Sequence, residues 1–89
     1  MKAVITVLGQ DKIGITAAIT KVLAETQVNI LDISQTIMQN LFTMVMLVDL
    51  TKLNCEFSRL GELLEEAGKK LGVEVRLQRE EIFTKLCLM

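Results

Sequence analysis

The run from Leu41 to Leu50 constrains the fold more than any other segment. Read as a strand, it puts Phe42, Met44, Met46 and Val48 on one face and Leu41, Val45 and Leu47, with Thr43, on the other. A strand that is apolar on both sides has to be covered on both, so it belongs in the interior of a sheet. Lys2 to Leu8 is β-branched, lacks turn residues until Gly9, and is also largely apolar on both faces. It reads as a second interior strand.

Two further runs are half-polar. Val28 to Met38 places Leu31, Ile33 and Ile37 on one face and Asp32, Ser34 and Thr36 on the other, the alternation of a half-buried strand. Gln39-Asn40 is a two-residue turn into Leu41. Val73, Val75 and Leu77 alternate with Glu74, Arg76 and Gln78, and that polar face suits an edge strand. Between these runs the spacing is helical. Ile15, Ala18, Ile19, Val22 and Leu23 form one stripe, ending near Thr26 or Gln27. Phe57, Leu60, Leu64, Ala67 and Leu71 form another, with Leu63 alongside, Asn54 as its expected cap, Glu56 in its first turn and Gly72 as its stop.

The order is β-α-β-β-α-β, an α+β fold of the ferredoxin-like kind: a four-stranded antiparallel sheet with two helices on one face. Strands one and three are central in that arrangement, which agrees with their double apolar faces. The open face is expected to show Val4, Leu8 and one apolar row of the third strand, a partner surface for the tail or a second copy. Ile82, Phe83 and Leu86 have helical spacing, so residues 80–89 read as a short C-terminal helix. The 89 residues make one domain.

Composition excludes several chemistries. Lys plus Arg is 10 and Asp plus Glu is 11, without the basic excess that phosphate binding demands, so no direct nucleic-acid partner is expected. No apolar stretch approaches the ~20 residues of a membrane span, and no secretion signal is expected. Without His there is no Ser-His-Asp device and no His-ligated zinc, and neither a metal nor a cofactor is expected. Cys55 and Cys87 form no CxxC pair and fit a reduced, cytoplasmic setting. Cys55 stands near a helix start, where a thiolate is favoured, but an ordinary turn cysteine is the plainer reading. Asp11, Asp32 and Glu56 are scattered, and nothing pairs a nucleophile with a base, so the chain is not expected to be an enzyme.

The segment Gly9-Gln10-Asp11-Lys12-Ile13-Gly14-Ile15 joins the first strand to the first helix. Gly9 is expected to permit an unusual turn, and Gly14 to let the helix start pack against a neighbouring backbone. Free N–H groups at such a helix start suit a carboxylate. Asp11 either caps the helix or accepts hydrogen bonds from an ammonium group. The spacing is not G-x-G-x-x-G, and no Walker Lys-Ser/Thr follows, so nucleotide readings fail. Asn29 opens the second strand and offers both a donor and an acceptor. It either caps a turn or holds the end of a small ligand.

Gly9-x-Asp11-x-x-Gly14-Ile15, a helix, and then Val28-Asn29-Ile30-Leu31-Asp32 resemble the ACT domain, a ferredoxin-like module that binds amino acids and other effectors in metabolic regulators. The resemblance covers essentially the whole chain. Asp49-Leu50 through Phe57, Gly72-Val73-Glu74-Val75 and Glu80-Glu81-Ile82-Phe83 are similar to single-ACT proteins. Those proteins are kin to the repeats of the glycine cleavage system transcriptional repressor and to the N-terminal domain of formyltetrahydrofolate deformylase.

The resemblance implies a regulatory sensor that holds its effector at a homodimer interface. It assigns the effector to Gly9, Asp11, Lys12, Ile13, Gly14 and Ile15 of the loop and to Asn29 and Ile30 of strand two. Ile13 stands where the family's common loop has Pro, and Gly9 where some members have His, so the expected class is α-amino acids and related metabolites rather than serine itself. Two or three charge-assisted hydrogen bonds of roughly 1.5–3 kcal/mol each would give micromolar to millimolar sensing. A regulated enzyme or regulator protein is the expected partner. The alternative is a protein-interaction module without a small ligand, acting through the open sheet face and the C-terminal helix.

Overall fold

In the computed structural model the described residues are 1–81. Of the expected helix over residues 80–89, residues 82–89 therefore lie outside them. The elements run β1 (Lys2–Gln10), α1 (Ile15–Glu25), β2 (Asn29–Met38), β3 (Leu41–Asp49), α2 (Phe57–Leu71) and β4 (Val73–Arg79). The strands are antiparallel in the order β2-β3-β1-β4, so the two doubly apolar runs take the centre, as their patterning requires.

Ala3, Ile5 and Val7 of β1 and Phe42, Met44, Met46 and Val48 of β3 face the helices and are buried. Ile15, Ile19 and Leu23 of α1 and Leu60 and Leu64 of α2 close over them. Each buried aliphatic side chain contributes about 1.5–3 kcal/mol against the entropy of ordering the chain. On the open face Val4 is only 5% exposed, between Leu47 and Gln78 of the flanking strands. The open patch is therefore smaller than patterning predicts, with Leu8 as its exposed residue on β1.

α1 ends in a Schellman motif. Val28 N–H donates to Leu23 C=O at 2.9 Å and Gln27 N–H to Ala24 C=O at 3.3 Å, while Gln27 takes φ 60°. The expected cap residue of α2 does something else. Asn54 donates its side-chain amide to Glu25 C=O at 3.0 Å and its backbone N–H to Thr26 C=O at 3.2 Å. It satisfies carbonyls at the end of α1, which have no partner within that helix. Glu56, not Asn54, is the N-cap of α2, without a side-chain cap bond. Gly72, at φ 70°, stops α2 as expected.

β2 departs from simple alternation. Ile30 pairs with Val48 and Asp32 with Leu47, so Leu31 is the extra residue of a β-bulge. The bulge turns Ile30 toward the core, where it packs on the buried cluster. Beyond it, every β2 residue from Leu31 to Met38 is exposed on both faces, contrary to the half-buried strand that its alternation suggests. Among the described residues the helices cover the centre of the sheet and β4 and leave most of this edge bare.

Candidate functional site

The two glycines of the β1–α1 segment exchange their expected roles. Gly9 makes no unusual turn: it is an ordinary residue of β1, paired with Phe42 on one side and Val73 on the other. What it provides is closeness, since a Cβ there would stand 2.8 Å from Val73 Cγ1 and 3.0 Å from Val73 Cα. Gly14 has open space around its missing Cβ but takes φ 95°, so it supplies the bend that starts α1. β1 runs on through Gln10, and Asp11 N–H donates to Asn40 C=O at 2.7 Å. The loop is thereby tied to the β2–β3 turn.

Gly14 is also the N-cap of α1, with no side-chain cap and no acidic residue in the first turn. Asp11 does not cap the helix. The first intrahelical bond runs from Ala18 N–H to Gly14 C=O at 2.9 Å, so the N–H groups of Ile15, Thr16 and Ala17 lack intrahelical acceptors. Such an end attracts a negative group through both the free donors and the helix dipole. Ile13, at the loop tip, is fully exposed. Lys12 reaches the other way: its Nζ lies 3.3 Å from where a Gly72 Cβ would stand, over the C-terminal end of α2, where a cation is favoured. Thr16 Oγ1 lies 3.4 Å from Gln35 Oε1, so the first turn of α1 lies beside the second half of β2.

Gly9, Asp11, Lys12, Ile13, Gly14 and Ile15 are thus brought together at one end of the sheet. Asn29 and Ile30 are not. Asn29 pairs with Asp49, which pairs with Lys2, at the far end of the sheet. Along the helix axis the separation is the length of α1, about 16 Å. One chain does not bring this asparagine to the loop.

Around Asn29 the structure gathers residues that patterning did not single out. Gln27, Val28, Asn29, Asp49, Thr51 and Lys52 line a cleft of about 480 Å³. Thr51 donates both its hydroxyl and its backbone N–H, the latter at 2.9 Å, to Asp49 Oδ1. These bonds, the hydroxyl first, hold the Asp49 carboxyl below the usual carboxylate range, and the N-terminal ammonium and Lys2 lower it further. Counting back from the Gln39–Asn40 turn places Leu50 opposite Asn29, and the bulge at Leu31 shifts the partner to Asp49. A bulge leaves no mark in the alternation, so this neighbour was not legible.

The pattern that defines the ACT domain family matches residues 2–78. A UPF0237 protein of Clostridium acetobutylicum is 54% identical over 86 residues, 97% of either chain. The ACT domain protein from Streptococcus pneumoniae superposes with a TM-score of 0.80 at 41% identity, covering 93% of each chain. The fold alone is shared with a putative glycine cleavage system transcriptional repressor (TM-score 0.72, 22% identity, 86% of this chain on 44% of that one). It is likewise shared with the formyltetrahydrofolate deformylase from Pseudomonas putida (TM-score 0.79, 12% identity, 88% of this chain on 28% of that one).

Proposed function

Because the chain belongs to the ACT domain family, whose members are regulatory small-molecule-binding domains, we propose that it is a non-catalytic cytoplasmic sensor of an α-amino acid or related metabolite. The effector sits between two copies of the chain and signals to a regulated enzyme or regulator protein. The observation that carries this reading is the uncapped start of α1 lying at the opposite end of β2 from Asn29. β2 is an edge strand with bare backbone groups and exposed Leu31, Ile33, Ile37 and Met38. A second copy paired antiparallel along this edge, about a two-fold axis, exchanges the ends of β2. Asn29 of the partner subunit then arrives where α1 begins. The free N–H groups of Ile15, Thr16 and Ala17 take the carboxylate of the effector. Asp11 and the arriving amide take its ammonium.

The alternative, a protein-interaction module without a small ligand, draws on the open sheet face. Leu8 and Leu41 are exposed there, at 43% and 46%, but the larger apolar exposure is on β2. Thermal-shift measurements against the twenty amino acids, followed by calorimetry, decide between the readings. At least one ligand raises the melting temperature with concentration, and Asn29→Ala and Asp11→Ala weaken its binding. If none does, the sensor reading falls.

A further inference from the structure

Val4 is buried without belonging to the core. Both described helices pack on the opposite face of the sheet, and Val4 stands outside the cluster they close over, yet it is only 5% exposed. Its neighbours in register, Gln78 of β4 and Leu47 of β3, are half-buried as well. Four residues further along the same strand and on the same face, Leu8 stands between Glu74 and Thr43 and is 43% exposed. One end of this face is shielded and the other is bare.

The shielded end is where the chain leaves the sheet. Arg79, the last residue of β4, pairs with Ala3, next to the pairing of Gln78 with Val4. In the segment 82–89 that follows, every residue except Thr84 and Lys85 is apolar. Such a segment gains free energy by leaving water for an apolar surface. Its helical spacing makes it about 12 Å long. Strands lie about 4.8 Å apart, so the step from β4 across β1 to β3 is about 10 Å. Leu8, about 13 Å along β1 from Val4, falls outside such a crossing. The row of Gln78, Val4 and Leu47 continues on β2 at Asp32, and the one cation of the segment is Lys85.

We infer that residues 82–89 cover this face of their own chain, crossing the sheet over Gln78, Val4 and Leu47, with Ile82, Phe83 and Leu86 against the apolar row and Lys85 toward Asp32. Patterning left two occupants open for this face, the tail and a second copy. The tail takes the end beside the chain exit, and the sheets of two copies do not meet there.

The test places a tryptophan in the segment. The sequence has no Trp, so Phe83→Trp reports alone. In the full chain its emission is expected to be blue-shifted and shielded from acrylamide. Adding Val4→Lys or Leu47→Lys is expected to abolish the shielding, and adding Leu8→Lys or Ile33→Lys to leave it unchanged. Circular dichroism checks that each variant folds, and Leu47→Lys, at a half-buried position, stands in if Val4→Lys does not. A tryptophan as accessible as the free amide overturns the inference. So does shielding that survives the lysine at Val4 or Leu47, or that is lost with Leu8→Lys or Ile33→Lys. Shielding that disappears on dilution puts the segment on a second copy and overturns it too.

Discussion

The sheet has two edges, and they are built in opposite ways. β4 is a finished edge. Val73, Val75 and Leu77 turn toward α2, and the Arg79 guanidinium lies 5.3 Å from the Phe57 ring centroid, within cation–π reach. Its other face is polar, with Arg76 and Glu74 paired at 2.7 Å. Such a pair at the surface stabilises little, but charge on an edge strand discourages pairing with another chain. β2 is an unfinished edge. Among the described residues only the first turn of α1 reaches its core-side row, at Gln35, and Ile33 and Ile37 stay 44% and 49% exposed there. An edge with bare backbone groups and apolar side chains is a template for association. The difference teaches that one edge of the sheet is closed to further pairing and the other is open to it.

The comparison breaks most directly through charge. Ile33→Lys puts an ammonium in the middle of the bare row of β2, twice per assembly if the edge pairs with itself. Wild type is expected to run by light scattering at about twice 10.0 kDa at micromolar concentration. In Ile33→Lys the dimer dissociation constant is expected to rise at least ~100-fold, roughly 3 kcal/mol, and the mass to fall to that of one chain. Glu74→Lys, the same charge on β4, leaves the dimer intact. Dissociation by Glu74→Lys and not by Ile33→Lys would reverse the assignment of the two edges.

A smaller effect tests how β4 is held. Gly9 gives β1 and β4 their close approach, and a methyl group there meets both the side chain and the backbone of Val73. Gly9→Ala is expected to cost about 1–3 kcal/mol by urea denaturation, because the backbone contact has no rotamer by which to yield. The loss falls on the β1–β4 pairing, so amides of β4 exchange faster and those of the β2–β3 pairing do not. An unchanged urea midpoint would mean that β4 shifts freely, and that it is a looser edge than its packing suggests.

Element order and strand order were legible because they follow from periodicity. Only β1 and β3 are apolar on both faces, and only a central position satisfies that. The helical stripes likewise located α1 and α2 close to their observed ends. What escaped was set by contacts distant in sequence. The bulge at Leu31 comes from fitting β2 against β3, and it moves Asn29 from Leu50 to Asp49. Asn54 turned from expected helix cap to seal of α1, because the end of α1 lies within its reach. The glycines were recognised as special, but their tasks were interchanged. Nothing local distinguishes a glycine needed for its φ from one needed for its missing Cβ. For the candidate site, the loop residues were found as a group, but the distance from loop to Asn29 follows from topology, which places them at opposite ends of one helix.

The smallest effect concerns how the chain enters each edge. Both edges follow a helix end with a residue in the left-handed region: Gly72 at φ 70° before β4, and Gln27 at φ 60° before β2. Gly72 adopts that backbone freely, and Gln27 does so against the contact between its Cβ and the carbonyl, a cost of about 1 kcal/mol or more. Gln27→Gly gives β2 the entry that β4 already has. It relieves that cost and gives back part of it through the greater freedom of glycine in the unfolded chain. The expected gain is about 0.5–1 kcal/mol, or ~2–8 °C in Tm for a domain of this size. Because Val28 and Leu23 are both buried and joined by a backbone hydrogen bond at the same turn, the helix end itself is expected to stay in place. A loss of stability instead would mean that the lost Gln27 side-chain contacts and the freedom of glycine in the unfolded chain together outweigh the relieved backbone cost.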